Sequence, residues 1–244
     1  MITIKEERVM RTVWTGLALV AMTMTLVSGS ITSVVAQGAG SIVGEVKFEG
    51  AAPAPKVTKV NKDKEACGEE KKSEALVVGP NKGLKNAVVS VVGVKAPVPK
   101  PATKPTLDQK TCQFQPHVLL LPAGSEMDIQ NPDGVLHNIH TFSTANPAIN
   151  KAQPKFKKVM TEKFDKPEVI KVQCDAHSWM LGWIVVHDHP FIAVSDAEGS
   201  FKIENVPAGK HKVEVWHETL GKMTKEVEVK AGAPTKVTFE LAKK

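Results

Sequence analysis

The chain has 244 residues, 42% of them hydrophobic and 24% charged, which excludes collagen-like, largely disordered and multi-span membrane classes. Its net charge is +6, yet lysines far outnumber arginines and no basic–aromatic motif of the known nucleic-acid modules occurs, so no nucleic-acid partner is expected. P-loop, GxGxxG and GxSxG patterns are all absent.

Residues 1–36 read as a secretory signal peptide. Lys5, Arg8 and Arg11 lead into a charge-free stretch from 12 to 44. Its apolar run, Thr12 to Val27, is short for a membrane span of about 20 residues. Val34-Val35-Ala36 before Gln37 has the small-residue character of a cleavage site. The alternative is an uncleaved anchor from Thr12 to about Ala36, the one case in which a membrane is a partner. Both readings put the folded part in the periplasm or another extracytoplasmic space, where disulfides form.

From there on the pattern is short alternating runs split by Gly, Pro and Asn, so the expected class is all-β. Ile42, Val46 and Phe48 alternate in the first run. Residues 51–82 are lysine-rich and irregular, with Pro53 and Pro55 breaking any strand. Val88 to Val94 is a compact apolar strand, and the prolines between 97 and 105 make a stiff extended connection. Val118 to Leu121 is a buried strand, and Met127 and Ile129 alternate in the next, which stops at the turn Asn131-Pro132-Asp133-Gly134. Residues 143–163 read as a long polar connection. Val169 to Cys174 and Trp183 to His187 are two strands around a short loop. After Phe191, turns at Asp196–Gly199 and Pro207–Gly209 separate alternating runs at Val213/Val215, Val227/Val229 and Val237/Phe239/Leu241, a small sandwich that is marginal alone.

The chemistry concentrates at Cys174-Asp-Ala-His177-Ser-Trp-Met180 and at Leu136-His137-Asn138-Ile139-His140. A cysteine, a histidine three residues on and a methionine three further can curl around one ion, and His137 from a neighbouring strand completes the set. Two imidazoles, a thiolate and a weak axial thioether are the donors of an electron-transfer copper. His140 is read as structural, since its spacing from His137 turns it to the other face of a strand. His117 is read as packed, and His211 and His217 as ordinary strand residues. His187 and His189 form a same-face pair that lacks a third ligand.

Those motifs, with Pro116-His117-Val118 and Ala123-Gly124 upstream, resemble the cupredoxins, the blue copper proteins, over roughly residues 84–188. The two-residue gap before Met180 is similar to the short amicyanin loop rather than the longer plastocyanin one. The resemblance implies a Greek-key β-sandwich and one type 1 copper ion held by His137, Cys174, His177 and Met180. It also implies that the Asn138 side chain ties the two ligand loops together. Residues 191–241, through Ser195-Asp-Ala-Glu-Gly199-Ser-Phe201 and Val206-Pro-Ala-Gly209, resemble the carboxypeptidase regulatory-like (transthyretin-like) sandwich, and Gly40–Val46 looks like its first strand. The expected organisation is a signal peptide at 1–36, a copper domain at 37–190 and a second β-sandwich at 191–244 completed by strands from 41–94.

The three cysteines then divide into a pair and one. Cys67 and Cys112 are expected as a disulfide, with two unpaired buried thiols as the alternative, and Cys174 is left as the ligand. Lys151, Lys155, Lys157, Lys158, Lys163 and Lys166 form a basic stretch. It is either a solvated face or a docking surface for an acidic redox partner, with Trp179 and Trp183 as its apolar centre and His177 as the electron exit. The neighbours of Cys174 are Gln173 and Asp175, whereas copper oxidases and nitrite reductases typically set histidine there. The chain is therefore expected to be no enzyme but a periplasmic one-electron carrier. Copper storage or delivery, or a purely structural cupredoxin-like domain, are the alternatives.

Overall fold

The computed structural model describes residues 38–243, so the expected signal or anchor at 1–36 lies outside the described residues. Among those described, no helix is long and apolar enough to cross a membrane. The all-β expectation holds. In chain order the first elements are β1 (Ala39–Phe48), β2 (Val57–Lys59), the one-turn helix α1 (Lys64–Cys67), β3 (Glu70–Lys72) and β4 (Val88–Val92). Next come β5 (Thr106–Lys110), β6 (Gln113–Gln115), β7 (Val118–Pro122), β8 (Glu126–Gln130), β9 (His137–Phe142), β10 (Asn150–Gln153) and β11 (Val159–Lys163). Then follow β12 (Glu168–Gln173), β13 (Leu181–His187), β14 (Ile192–Val194), β15 (Ser200–Pro207), β16 (Gly209–His217), β17 (Gly221–Val229) and β18 (Pro234–Leu241).

Two cores organise these strands. The sheets β15-β1-β18 and β14-β4-β16-β17 enclose Ile42, Val46, Val89, Val91, Val213 and Phe239. Strand β1 runs antiparallel to β15 and parallel to β18, and β4 lies between β14 and β16, so this core draws on both ends of the described chain. Gly199 is needed where they meet. Its φ is +79°, and a Cβ there would stand 2.3 Å from the Val46 carbonyl oxygen. That close approach lets Val46 N–H donate to the Gly199 carbonyl at 2.8 Å.

The second core lies between sheets β10-β9-β12-β13-β7 and β11-β8-β5-β6, around Leu107, Leu121, Met127, Ile129, Ile170 and Ile184. Alternation explains it: in β8, Met127 and Ile129 point inward while Glu126 is exposed. A small third cluster of Val88, Val118 and Val185 joins the two, with the Trp183 and Trp216 rings 5.0 Å apart beside it.

Two expectations are corrected. Residues 143–163 are not a bare connection, because β10 and β11 occupy much of them as edge strands of the two sheets. Residues 51–82 are not wholly irregular either: β2 and β3 pair as a small hairpin around α1. The Cys67–Cys112 disulfide is present and fastens α1 to the turn between β5 and β6. Closing a loop of 45 residues stabilises the fold by about 4 kcal/mol in the chain-entropy account.

Candidate metal centre

His137 opens β9 directly after the turn at 131–134, where Gly134 takes φ +75°. Asn131 is fully buried and pins that turn by donating from Nδ2 to the carbonyls of Val135 (2.9 Å) and Gln153 (3.0 Å). Cys174, His177 and Met180 sit in the loop between β12 and β13, closed off by the Gln173–Leu181 register pair. Within it Met180 N–H donates to the His177 carbonyl at 2.9 Å, and Cys174 N–H to the Met180 carbonyl at 3.3 Å. Strand β12 pairs with β9 as well, so neighbouring strands bring both pieces that carry the expected ligands to one end of the sheet.

The donors converge. The Nδ1 atoms of His137 and His177 are 3.0 Å apart, and the Cys174 sulfur lies 3.9 Å from the first and 3.8 Å from the second. The point equidistant from all three is about 2.1 Å from each, within the ~2.0–2.3 Å at which imidazole nitrogen and thiolate bind a transition ion. The donor triangle therefore has the size an ion requires, and its thiolate-plus-imidazole chemistry fits copper. His137, Cys174 and His177 are fully buried and Met180 is 1% exposed. Met180 packs in the same core group as Cys174.

Asn138 bridges the loops. Its Oδ1 accepts from the backbone N–H groups of Asp175 (2.6 Å) and Ala176 (3.2 Å), and its Nδ2 donates to Asn150 Oδ1 (2.8 Å). Burial pushes the Cys174 thiol up, but contacts with His137 and His177 and with backbone N–H groups outweigh it and bring the pKa down to about 6. Burial also opposes charge on His137, yet the carboxylate of Asp133 and the Cys174 sulfur raise its pKa.

Two carboxylates that sequence reasoning missed complete the arrangement. His137 Nε2–H donates to Asp133 Oδ2 at 3.0 Å, and His177 Nε2–H donates to Asp63 Oδ2 at 2.9 Å. Each imidazole is thereby oriented with Nδ1 free for an ion. Asp133 is itself held by the N–H groups of Thr111 (2.6 Å) and Cys112 (2.7 Å). Its place four residues before His137 in a turn was a usable signal. Asp63 had none, since it reaches the site from a segment remote in sequence.

The segment carrying Asp63 also covers the site, and the expectation of His177 as an exposed electron exit is corrected: its ring is fully enclosed. Trp179 lies 5.1 Å from that ring and donates its indole N–H to the Cys112 carbonyl at 3.2 Å, so it is half-buried beneath the cap. Trp183 is part of the cluster between the two cores. The other histidines stay apart from the donor triangle. His140 binds Asp175 at 3.0 Å and His117 is buried against Glu218. His187 donates to the His189 carbonyl at 2.9 Å, and His211 donates to that of Pro207 at 2.7 Å. His217 is buried, which lowers its pKa to about 4.

No protein-family model and no curated protein matches the chain, so the resemblance of 191–241 to the carboxypeptidase regulatory-like sandwich finds no support. Similar solved structures are cupredoxins over part of the chain. A copper-containing nitrite reductase from Thermus scotoductus is 24% identical, with TM-score 0.32, over 41% of this chain and 25% of its own. A Cu(I) form of an amicyanin mutant is 16% identical, with TM-score 0.32, over 41% of this chain and 98% of its own. A purple cupredoxin from Nitrosopumilus maritimus is 26% identical, with TM-score 0.27, over 30% of this chain and 81% of its own. The expectation that the chain is not an enzyme is corrected by these neighbours. It rested on the residues flanking Cys174, and a nitrite reductase among the similar structures removes that exclusion.

Proposed function

We propose that this is an exported type 1 copper protein that passes one electron at a time, with His137, Cys174 and His177 as ligands and Met180 as the weaker fourth. The convergence of two Nδ1 atoms and one sulfur at 3.0, 3.8 and 3.9 Å in a buried pocket carries the reading. Bound copper would supply a Cu(II)/Cu(I) couple.

The protein's own residues do the rest. Cys174 is held toward its thiolate form, which is the form that binds metal. Asp63 and Asp133 keep both Nδ1 lone pairs aimed inward, and Asn138 fixes the spacing between the two ligand loops. Burial excludes water, and a donor set held by one strand residue, His137, and a short loop pinned between β12 and β13 keeps structural change small when charge is added or removed.

An acidic redox partner would dock on the Lys151–Lys166 stretch. Lys155, Lys157 and Lys158 are exposed there around Phe156, itself 80% exposed. This loop begins one residue after Gln153, the register partner of His137, so it hangs beside a ligand strand. A charged rim with an aromatic centre suits a fast transient contact.

The deciding measurement is the visible spectrum of purified protein loaded with Cu(II). An intense thiolate-to-copper charge-transfer band, abolished in Cys174→Ser, is expected. A colourless protein that carries zinc would overturn the reading.

A further inference from the structure

The disulfide lies beside the two histidines of the donor triangle. The sulfurs of Cys67 and Cys112 and a ring nitrogen of His177 all fall within 4.8 Å of one another, and all three residues are buried. The Cys112 sulfur is likewise within 4.8 Å of a His137 ring nitrogen and an Asp133 oxygen. His177 thus belongs to two groups of potential ligands, one with His137 and Cys174 and one with the two disulfide sulfurs.

The cap that places Cys67 there is lightly built. Strands β2 and β3 have three residues each and pair only with one another. Across to the rest of the protein run Asp63 to His177 (2.9 Å), Lys71 Nζ to the Thr111 carbonyl (2.5 Å) and the buried side chain of Val60. The covalent tether is the disulfide itself. A short hairpin held mainly by one bond is the kind of unit that opens locally before the fold as a whole.

We propose that reducing Cys67–Cys112 creates a second metal site, built of Cys67, Cys112 and His177, for a soft, thiophilic ion of the Cu(I) class. The reductant is a dithiol: the S–S bond of the protein breaks, the dithiol closes to its own disulfide, and two electrons and two protons pass to the cysteines. Ion binding then displaces both thiol protons and leaves two thiolates and an imidazole as donors, a set that favours soft ions. Because His177 is common to both groups, an ion held by the reduced cap is one ligand away from the buried triangle. The cap would serve as a loading and release position whose state follows thiol redox poise. This function rests on the copper reading only through the role of His177 in the first site, because the second group contains no Cys174.

The full-length Cys174→Ser variant separates the two ideas, with Cd(II) as the probe. After reduction with a dithiol and its removal, the variant should bind one Cd(II) per chain and show an ultraviolet thiolate-to-cadmium band. With the disulfide intact that band should be missing. Adding His177→Ala should weaken Cd(II) binding by about tenfold or more. The proposal is overturned if two free thiols are titrated and no band forms. It is equally overturned if His177→Ala leaves affinity unchanged, which is how two thiols on an unfolded chain would behave. Failure of the copper reading is read separately, from the visible spectrum of the oxidised native protein.

Discussion

Asp133 shows how much of the proposed site depends on a residue outside the donor triangle. Its carboxylate takes His137 Nε2–H on one side and two backbone N–H groups on the other, so it anchors the imidazole to the turn that carries Cys112. Burial of this carboxylate opposes its charge, but the contact with His137 and the two N–H groups hold its pKa below the usual range. Asp133→Asn keeps an acceptor for the backbone but removes the charge facing the ring. Copper affinity, measured by competition with a chelator, should fall by about 10- to 100-fold. Unchanged affinity would mean that backbone geometry alone orients His137. Ligand spacing within one loop was legible in residues 174–180, because it depends only on local chain reach. The carboxylate behind His177 was not, because Asp63 arrives through a disulfide and a left-handed backbone conformation at φ 51°, neither visible in a local pattern.

At the level of elements, the strands that sequence pattern missed are those whose pattern is weak for a physical reason. Strand β10 reads Asn-Lys-Ala-Gln and buries only Gln153, while β11 buries only Met160. Both are edge strands with one neighbour, so little apolar alternation is required of them. Central strands such as β12 and β13 bury residues at nearly every inward position and were legible.

The loop before β10 has its own support in Glu168, at the start of β12. Its carboxylate accepts from the N–H of Thr144 (2.5 Å), Ala145 (3.1 Å) and Asn146 (3.1 Å), and from the side chains of Thr144 and Asn146. Burial is the largest single influence and opposes its charge, but these donors together outweigh it and lower the pKa from 4.5 to about 2. A carboxylate with a depressed folded pKa contributes stability above its unfolded pKa and loses it as pH falls from 4.5 toward about 2. Discounted for solvent screening at a half-exposed group, that contribution is about 1–2 kcal/mol. Glu168→Gln should therefore be less stable than the parent near neutral pH and show a flatter decline over this acid window. Urea unfolding at about pH 6 and about pH 3 measures both. A parallel decline of parent and variant would place the acid sensitivity elsewhere.

Across the whole molecule, the question is whether the two cores follow one another or one is set inside the other. We infer the second arrangement. Strand β1 is bonded to β15 and β18, and β4 to β14 and β16, so the first core has no complete sheet without residues beyond 190. The strands of the second core from β5 to β13, with the proposed ligands among and between them, lie between those two contributions in the chain. Turn spacing and alternation made the late strands legible, but pairing partners far apart in sequence leave no periodic trace. A chain truncated after residue 190 tests the inference. It keeps all four proposed ligands but strips the partners from β1 and β4, exposing Ile42, Val46, Val89 and Val91, each fully buried in the intact protein. Four such side chains returned to water cost roughly 1.5–3 kcal/mol apiece, comparable with the whole stability of a domain. The truncated protein should aggregate or bind a hydrophobic dye, and it should lose its cooperative thermal transition. A soluble monomer that still unfolds cooperatively would instead show that the ligand-bearing core folds alone and that the two cores are only consecutive neighbours.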